Sequence, residues 1–190
     1  EYFMSKMNVR RRQVVIDLDR NHSAMIQAGA MQWMAGDVSA TTGIKGAGDF
    51  LSKTIRGKVT GESVIKPEYT GDGTLVLEPT YKHIILLDLD EWGNSIVLDD
   101  GLFLACESTL KQKAVRRKTF SSAFAGGEGF FNLGLKGSGV VCIESDCPRE
   151  ELVEITLEDD VIKIDGNLAI AWSGSLDFTV ERAGRSLLGS

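Results

Sequence analysis

Histidine is almost missing from this chain, which has only His22 and His83. Ser-His-Asp and Cys-His chemistry both need an imidazole beside a nucleophile. His22 falls in a polar stretch and His83 just before an apolar one, so both read as surface or strand-edge residues. Long apolar runs are absent too. The run from Ile84 to Leu89 is broken by Asp88, and nothing approaches the roughly 18–20 residues that span a bilayer as a helix. The opening Glu1-Tyr2-Phe3-Met4-Ser5-Lys6 lacks the basic and apolar regions of a signal peptide. A cytoplasmic location is the expectation. The three cysteines are an odd number, and Cys142 and Cys147 are not at the two-residue gap of a zinc or redox motif. They are expected to be free thiols in a reducing compartment. The glycine-rich stretch 43–48 is not followed by the Gly-Lys-Ser/Thr of a phosphate loop and reads as a connector.

What is present is ordinary globular material. The 190 residues are 43% hydrophobic and 25% charged, enough to bury a core. A net charge of −6 argues against general nucleic-acid binding.

Two segments recur. Gly61-Glu62-Ser63-Val64-Ile65, then Gly71-Asp72-Gly73-Thr74-Leu75-Val76-Leu77-Glu78, returns 66 residues later. The second copy is Gly127-Glu128-Gly129-Phe130-Phe131, then Gly137-Ser138-Gly139-Val140-Val141-Cys142-Ile143-Glu144. Each copy predicts a strand, a glycine turn and a buried strand. The other segment occurs three times. It begins at Val14-Val15-Ile16-Asp17-Leu18-Asp19, at Leu86-Leu87-Asp88-Leu89-Asp90 and at Leu152-Val153-Glu154-Ile155-Thr156-Leu157, and leads to anchor glycines Gly29, Gly101 and Gly166. In the third copy Val153, Ile155 and Leu157 alternate with Glu154, Thr156 and Glu158, the pattern of a half-buried strand.

The chain therefore reads as one all-β domain, residues 1–190, of tandem β-rich repeats at about 14–79, 84–145 and 152–190, the third incomplete. Pseudo-threefold symmetry is expected, with Gly29, Gly101 and Gly166 equivalent and Gly71 matching Gly137. Helix should fall below about 10%, well under the usual third. Trp33, Phe103 and Trp172 recur near the same place after the anchor glycines and are expected in the core, with Leu168. Asp49 is a candidate cap for a short helix in the first connector.

The acidic turn Asp88-Leu89-Asp90-Glu91-Trp92-Gly93 only partly matches a calcium loop, since Trp92 stands where an oxygen ligand belongs. It reads as a structural turn. Glu62 and Glu128 are repeat-equivalent, which suits hydrogen bonding at a turn better than acid–base chemistry. No catalytic, cofactor-binding or metal-ligating residue is assigned, and no cofactor is expected.

Several stretches together resemble the altered-inheritance-of-mitochondria protein 24 family. They are Ala28-Gly29-Ala30-Met31-Gln32-Trp33-Met34, Gly61-Glu62-Ser63, Leu77-Glu78-Pro79-Thr80-Tyr81, Asp100-Gly101-Leu102-Phe103-Leu104-Ala105 and Gly126-Gly127-Glu128-Gly129-Phe130-Phe131. The resemblance covers essentially the whole chain. It implies three repeats in a short double-stranded β-helix, similar to the tryptophan RNA-binding attenuation protein fold. In the eukaryotic branch it also implies a link to mitochondrial inner-membrane organisation. It brings no catalytic motif.

The leading functional expectation is a non-enzymatic scaffold that acts by self-association or through a protein partner. A small-molecule or sugar-binding β module is the alternative; an enzyme and an RNA-binding protein rank below both. The connectors are basic although the chain is acidic. Lys53, Arg56, Lys58, Arg116, Arg117, Lys118 and Arg185 form a candidate interaction patch, with Phe50, Phe120 and Leu187 among its apolar neighbours. Such a patch suits an anionic membrane surface or an acidic partner, and membrane association of a cytoplasmic protein is the expectation it adds. No nucleic-acid partner is expected.

Overall fold

The computed structural model describes residues 6–10, 12–41, 66–116, 118–119, 131–165 and 168–180. Within them the chain is all-β. The strands are β1 (Lys6–Arg10), β2 (Gln13–Leu18), β3 (Ala24–Ile26), β4 (Met31–Thr41), β5 (Glu68–Leu77), β6 (His83–Asp88) and β7 (Ser95–Leu98). They continue with β8 (Phe103–Glu107), β9 (Lys111–Arg116), β10 (Lys118–Thr119), β11 (Phe131–Lys136), β12 (Val140–Ser145), β13 (Ala171–Ser173) and β14 (Thr179–Val180). The helical structure among the described residues is two short 3₁₀ turns, Leu89–Trp92 and Arg149–Glu151.

One nearly closed sheet runs β1-β2-β5-β3-β8-β12-β6, with β4 lying along the other edge of β5. A second runs β13-β7-β11-β9. A short β10·β14 pair is parallel; the other strand pairs among the described residues are antiparallel. Strands β8 and β12 are buried on both faces. Cys142 faces a core cluster with Ile16, Ile26 and Leu75, while Val141 and Ile143 face another with Leu89, Ile96 and Leu98. Two-sided burial is why these strands read as continuous apolar runs, whereas β2, covered on one side, alternates.

The pairing registers of the two halves coincide. β2 meets β5 at Val15↔Val76, and β6 meets β12 at Leu86↔Cys142. β4 meets β5 at Met31↔Leu77 and Trp33↔Val76; β8 meets β12 at Phe103↔Ile143 and Ala105↔Cys142, with a register shift at the same step. Thr41↔Glu68 and Lys113↔Gly134 belong to one further matched pairing, β4·β5 and β9·β11, and Ala24↔Tyr69 and Ile96↔Leu135 to another, β3·β5 and β7·β11. Every β5, β11 and β12 position is displaced by the 66 residues read from the glycine segments. The matching glycines share backbone geometry, φ 83° and 78° at Gly29 and Gly101, and 127° and 131° at Gly71 and Gly137.

Four expectations are corrected. Gly71 and Gly73 do not form a turn; they lie inside the continuous strand β5. They are glycines because the backbone of β4 runs too close for a Cβ, at the carbonyls of Asp37 and Ala35. The turn holds in the second copy, where Gly137 and Gly139 separate β11 from β12. Residues 152–157 form no strand, and Val153 and Ile155 are 83% and 52% exposed. Their counterparts at the same distance before the anchor glycine, Ile16 and Leu18, are buried in β2, which β5 and β1 flank. Trp33 and Leu168 are exposed, whereas Phe103 and Trp172 are buried as expected. Finally, the basic stretch around Arg116, expected as a connector, is in part strand, the end of β9. Gly166, the Asp49 cap and both Gly-Glu pairs lie outside the described residues.

Candidate functional site

The basic patch is where the sequence placed function. Lys53, Arg56, Lys58, Arg117 and Arg185 lie outside the described residues. Arg116 ends β9 opposite Phe131, and Lys118 begins β10 opposite Thr179. The structure thus brings two backbone positions of the patch to one corner, where β9 passes into β10.

The polar groups that remain serve the fold. The Asp19 carboxylate accepts from the Asn21 backbone N–H at 2.8 Å and meets His22 Nδ1 at 2.7 Å. Those two contacts, the backbone one first, hold its pKa below the ordinary carboxylate value. In the acidic turn, Asp88 caps the 3₁₀ turn by accepting from the Asp90 N–H at 3.0 Å, Leu89 is fully buried, and Gly93 closes it in the left-handed region at φ 64°. Ser138 Oγ donates to Asp90 at 3.0 Å. Two carboxylates of the calcium-like motif are thereby engaged by protein donors. Buried Glu107 accepts the Val140 N–H at 2.7 Å, which ties the end of β8 to the start of β12. Buried Asn132 donates to the Leu98 carbonyl and to Asp99, both at 3.0 Å. Among the described residues no cluster of His, Cys, Asp and Glu has the makings of a metal site.

The cysteines are unpaired. Burial pushes the Cys106 thiol up to about 12, although the Gln112 side chain and Lys66 favour its thiolate, and burial raises Cys142 as well. Thiolates are the reactive form. At pH 8 a disulfide-exchange reagent should therefore label half-buried Cys147 first and reach the other two only at the rate of unfolding. Below the unfolded-thiol value of 9 the contribution of Cys106 and Cys142 to stability is complete. Above it the unfolded chain releases protons that the folded one keeps, so stability should fall as pH rises. Mass spectrometry of labelled peptides and denaturation against pH check the two halves of this expectation.

Two concave features stand out. A groove of about 380 Å³ lies between β7, β11 and the chain after β13, lined by Lys113, Lys136, Trp172 and Phe178. The Trp172 and Phe178 rings stack at 4.0 Å, a pairing that sequence spacing did not signal. Another of about 390 Å³ is lined by Arg10, Gln13, Val15 and Trp33 on the outer face of β1, β2 and β5. Beside it runs the edge of β4 that no other strand among the described residues pairs with, where Trp33 is 48% and Met34 44% exposed. Residues 161–165 are exposed as well, including Val161, Ile162 and Ile164. Reading Trp33 as core concealed the first edge; the apolar character of Val161, Ile162 and Ile164 was the signal for the second. No helix among the described residues is long and apolar enough to cross a membrane.

Comparison with known proteins follows the fold. The family model described as mitochondrial biogenesis AIM24 matches residues 6–190. An uncharacterized protein of Streptococcus pyogenes serotype M6 is 32% identical over 174 residues, which are 88% of this chain and 68% of that protein. A crystal structure of another Streptococcus pyogenes protein aligns with a TM-score of 0.56 at 27% identity, over 76% of this chain. The alignment takes in 65% of that protein's length.

Proposed function

The chain belongs to the mitochondrial biogenesis AIM24 family, and from that premise we propose that it is a non-enzymatic scaffold, built of tandem β repeats, that works by self-association or by holding a protein partner. The observation that carries this reading is the coincidence of registers between β2·β5 and β6·β12, and between β4·β5 and β8·β12. A duplicated unit with its strong polar groups spent on turns and caps is a framework. The third segment supports a pseudo-threefold plan similar to the tryptophan RNA-binding attenuation protein fold. β13 pairs with β7 much as β8 pairs with β3, within one residue of the same register. Light scattering across a concentration series tests the reading. Concentration-dependent assembly, or a stoichiometric partner in affinity capture, is the expected result; a strict monomer with neither counts against it.

The basic connectors add a membrane-facing version for a cytoplasmic protein. Each Lys or Arg near an anionic surface contributes about 1 kcal/mol. Vesicles containing anionic lipid should bind the protein at low salt and release it at physiological salt, and Arg116→Glu with Arg117→Glu should abolish that binding. Equal behaviour of the two proteins in flotation removes this version and leaves the scaffold reading intact.

The groove beside Trp172 and Phe178 favours the second reading, a small-molecule or sugar-binding module, because apolar and basic groups converge there. A thermal-shift screen with sugars and small anions checks it, and a flat response across the screen removes it.

A further inference from the structure

Two strands recur around each anchor glycine, one before it and one after it, and the fold joins them between successive units. β3, before Gly29, lies on β8, after Gly101, with Met25 opposite Cys106. β7, before Gly101, lies on β13, after Gly166, with Val97 opposite Trp172. Both arrangements bury their strands. β8 is buried at all five positions because β12 covers one edge and β3 the other, and β7 is buried at three of four.

One member of each kind is left over. The strand after Gly29 is the start of β4. Among the described residues it pairs with β5 alone, and Gln32, Trp33, Met34 and Ala35 are exposed where the matching residues of β8 are buried. The segment before Gly166 is residues 161–165, exposed throughout and in no strand. These two segments are the acceptor and donor of the pairing that the chain already makes twice, and among the described residues they do not pair with each other.

We propose that residues 161–165 of one molecule add as an antiparallel strand to the free edge of β4, at residues 31–35, of a second copy. This rests on the assembly reading above and names its contact. The existing registers set the new one. Met25 stands four residues before Gly29 and pairs with Cys106, five after Gly101. By the same count Ile162 meets Met34, and Ile164 meets Gln32. Pairing satisfies the open backbone edge of β4 and covers Trp33, Met34, Val161, Ile162 and Ile164 together. The contact is heterologous, because the donor and the acceptor are different segments of the chain. Such contacts propagate into rings or open chains.

Cross-linking tests it in the full chain. Met34→Cys and Ile162→Cys are made separately, each with Cys147→Ser, then mixed and oxidised. Directly opposed residues on antiparallel strands come within disulfide reach. The mixture should give at least tenfold more cross-linked dimer than either variant alone, and a chain carrying Ile162→Pro should not assemble by light scattering. Both substituted positions are solvent-exposed, so the variants should keep the wild-type circular dichroism and melting curve. Assembly without the mixed cross-link overturns this contact and leaves the scaffold reading standing. A monomer at every concentration overturns both. An intramolecular disulfide in the doubly substituted chain at high dilution also overturns the proposal, since it means that the two edges close within one molecule.

Discussion

Phe103→Ala should lower the stability of the folded chain by about 3–5 kcal/mol, the usual cost of truncating a buried aromatic side chain, while Trp33→Ala should cost less than about 1 kcal/mol, as exposed positions do. Phe103 stands two residues after Gly101 and pairs with Ile143, while Trp33 stands four after Gly29 and pairs with Val76, one step further along the matched strand pair. Their surroundings differ. Phe103 is 3% exposed, inside a cluster with Ile85, Leu98 and Ile143, and the Lys66 ammonium sits 4.1 Å from its ring centroid. Removing the ring leaves a cavity walled by strands that cannot collapse, and it deprives Lys66 of a cation–π contact. Trp33 is 48% exposed. In a chain of this size each kcal/mol moves the melting temperature by roughly 2–4 °C, so Phe103→Ala should melt roughly 6–20 °C lower. Chemical denaturation of the two variants at a concentration where the chain is monomeric makes the comparison. Equal losses would mean that the edge of β4 is covered in solution as β8 is covered by β3.

That contrast shows what the sequence could and could not carry. The glycine spacing identified the repeated segments, and the apolar run after Gly139 identified β12, because both are local properties. Burial of a strand's second edge is not local. Trp33 and Phe103 are both apolar and both follow an anchor glycine closely, yet β3 lies alongside β8 and no described strand lies alongside that edge of β4. The same holds for residues 152–157. Val153, Ile155 and Leu157 say which face would be buried if a partner strand were present, and the partner is a matter of long-range pairing. β1 was missed although Met7 and Val9 alternate ahead of β2. Such a short signal is weak until β2 supplies something to pair with. For the candidate site, charge was legible and position was not. Arg116 and Lys118 are placed by β9 and β10, and the other members of the patch lie on segments outside the described residues.

Gly71→Ala should be among the most damaging single-methyl additions the chain can receive, at about 3 kcal/mol or more, and Gly137→Ala should cost clearly less, about 1–2 kcal/mol. The two glycines are 66 residues apart at matched positions and share a backbone conformation, φ 127° and 131°. L side chains rarely adopt that region, and holding one there costs on the order of 1–3 kcal/mol. That strain is common to both substitutions. The space around them is not. A Cβ on Gly71 would land on the Asp37 carbonyl oxygen and within 3.1 Å of the Val38 Cα, both backbone atoms of β4 that cannot move without breaking its register with β5. A Cβ on Gly137 meets the Thr109 carbonyl oxygen at 3.3 Å and a Leu110 methyl at 3.5 Å, at a bend between strands where small shifts are tolerated. The difference follows from the corrected fold, because Gly71 lies inside β5 against its antiparallel neighbour β4 and Gly137 lies at a turn. Were Gly71 a turn residue too, both variants would lose the same stability. Urea denaturation of the two variants decides between these outcomes. A Gly71→Ala protein as stable as Gly137→Ala would show that β4 and β5 are not packed backbone to backbone at this point.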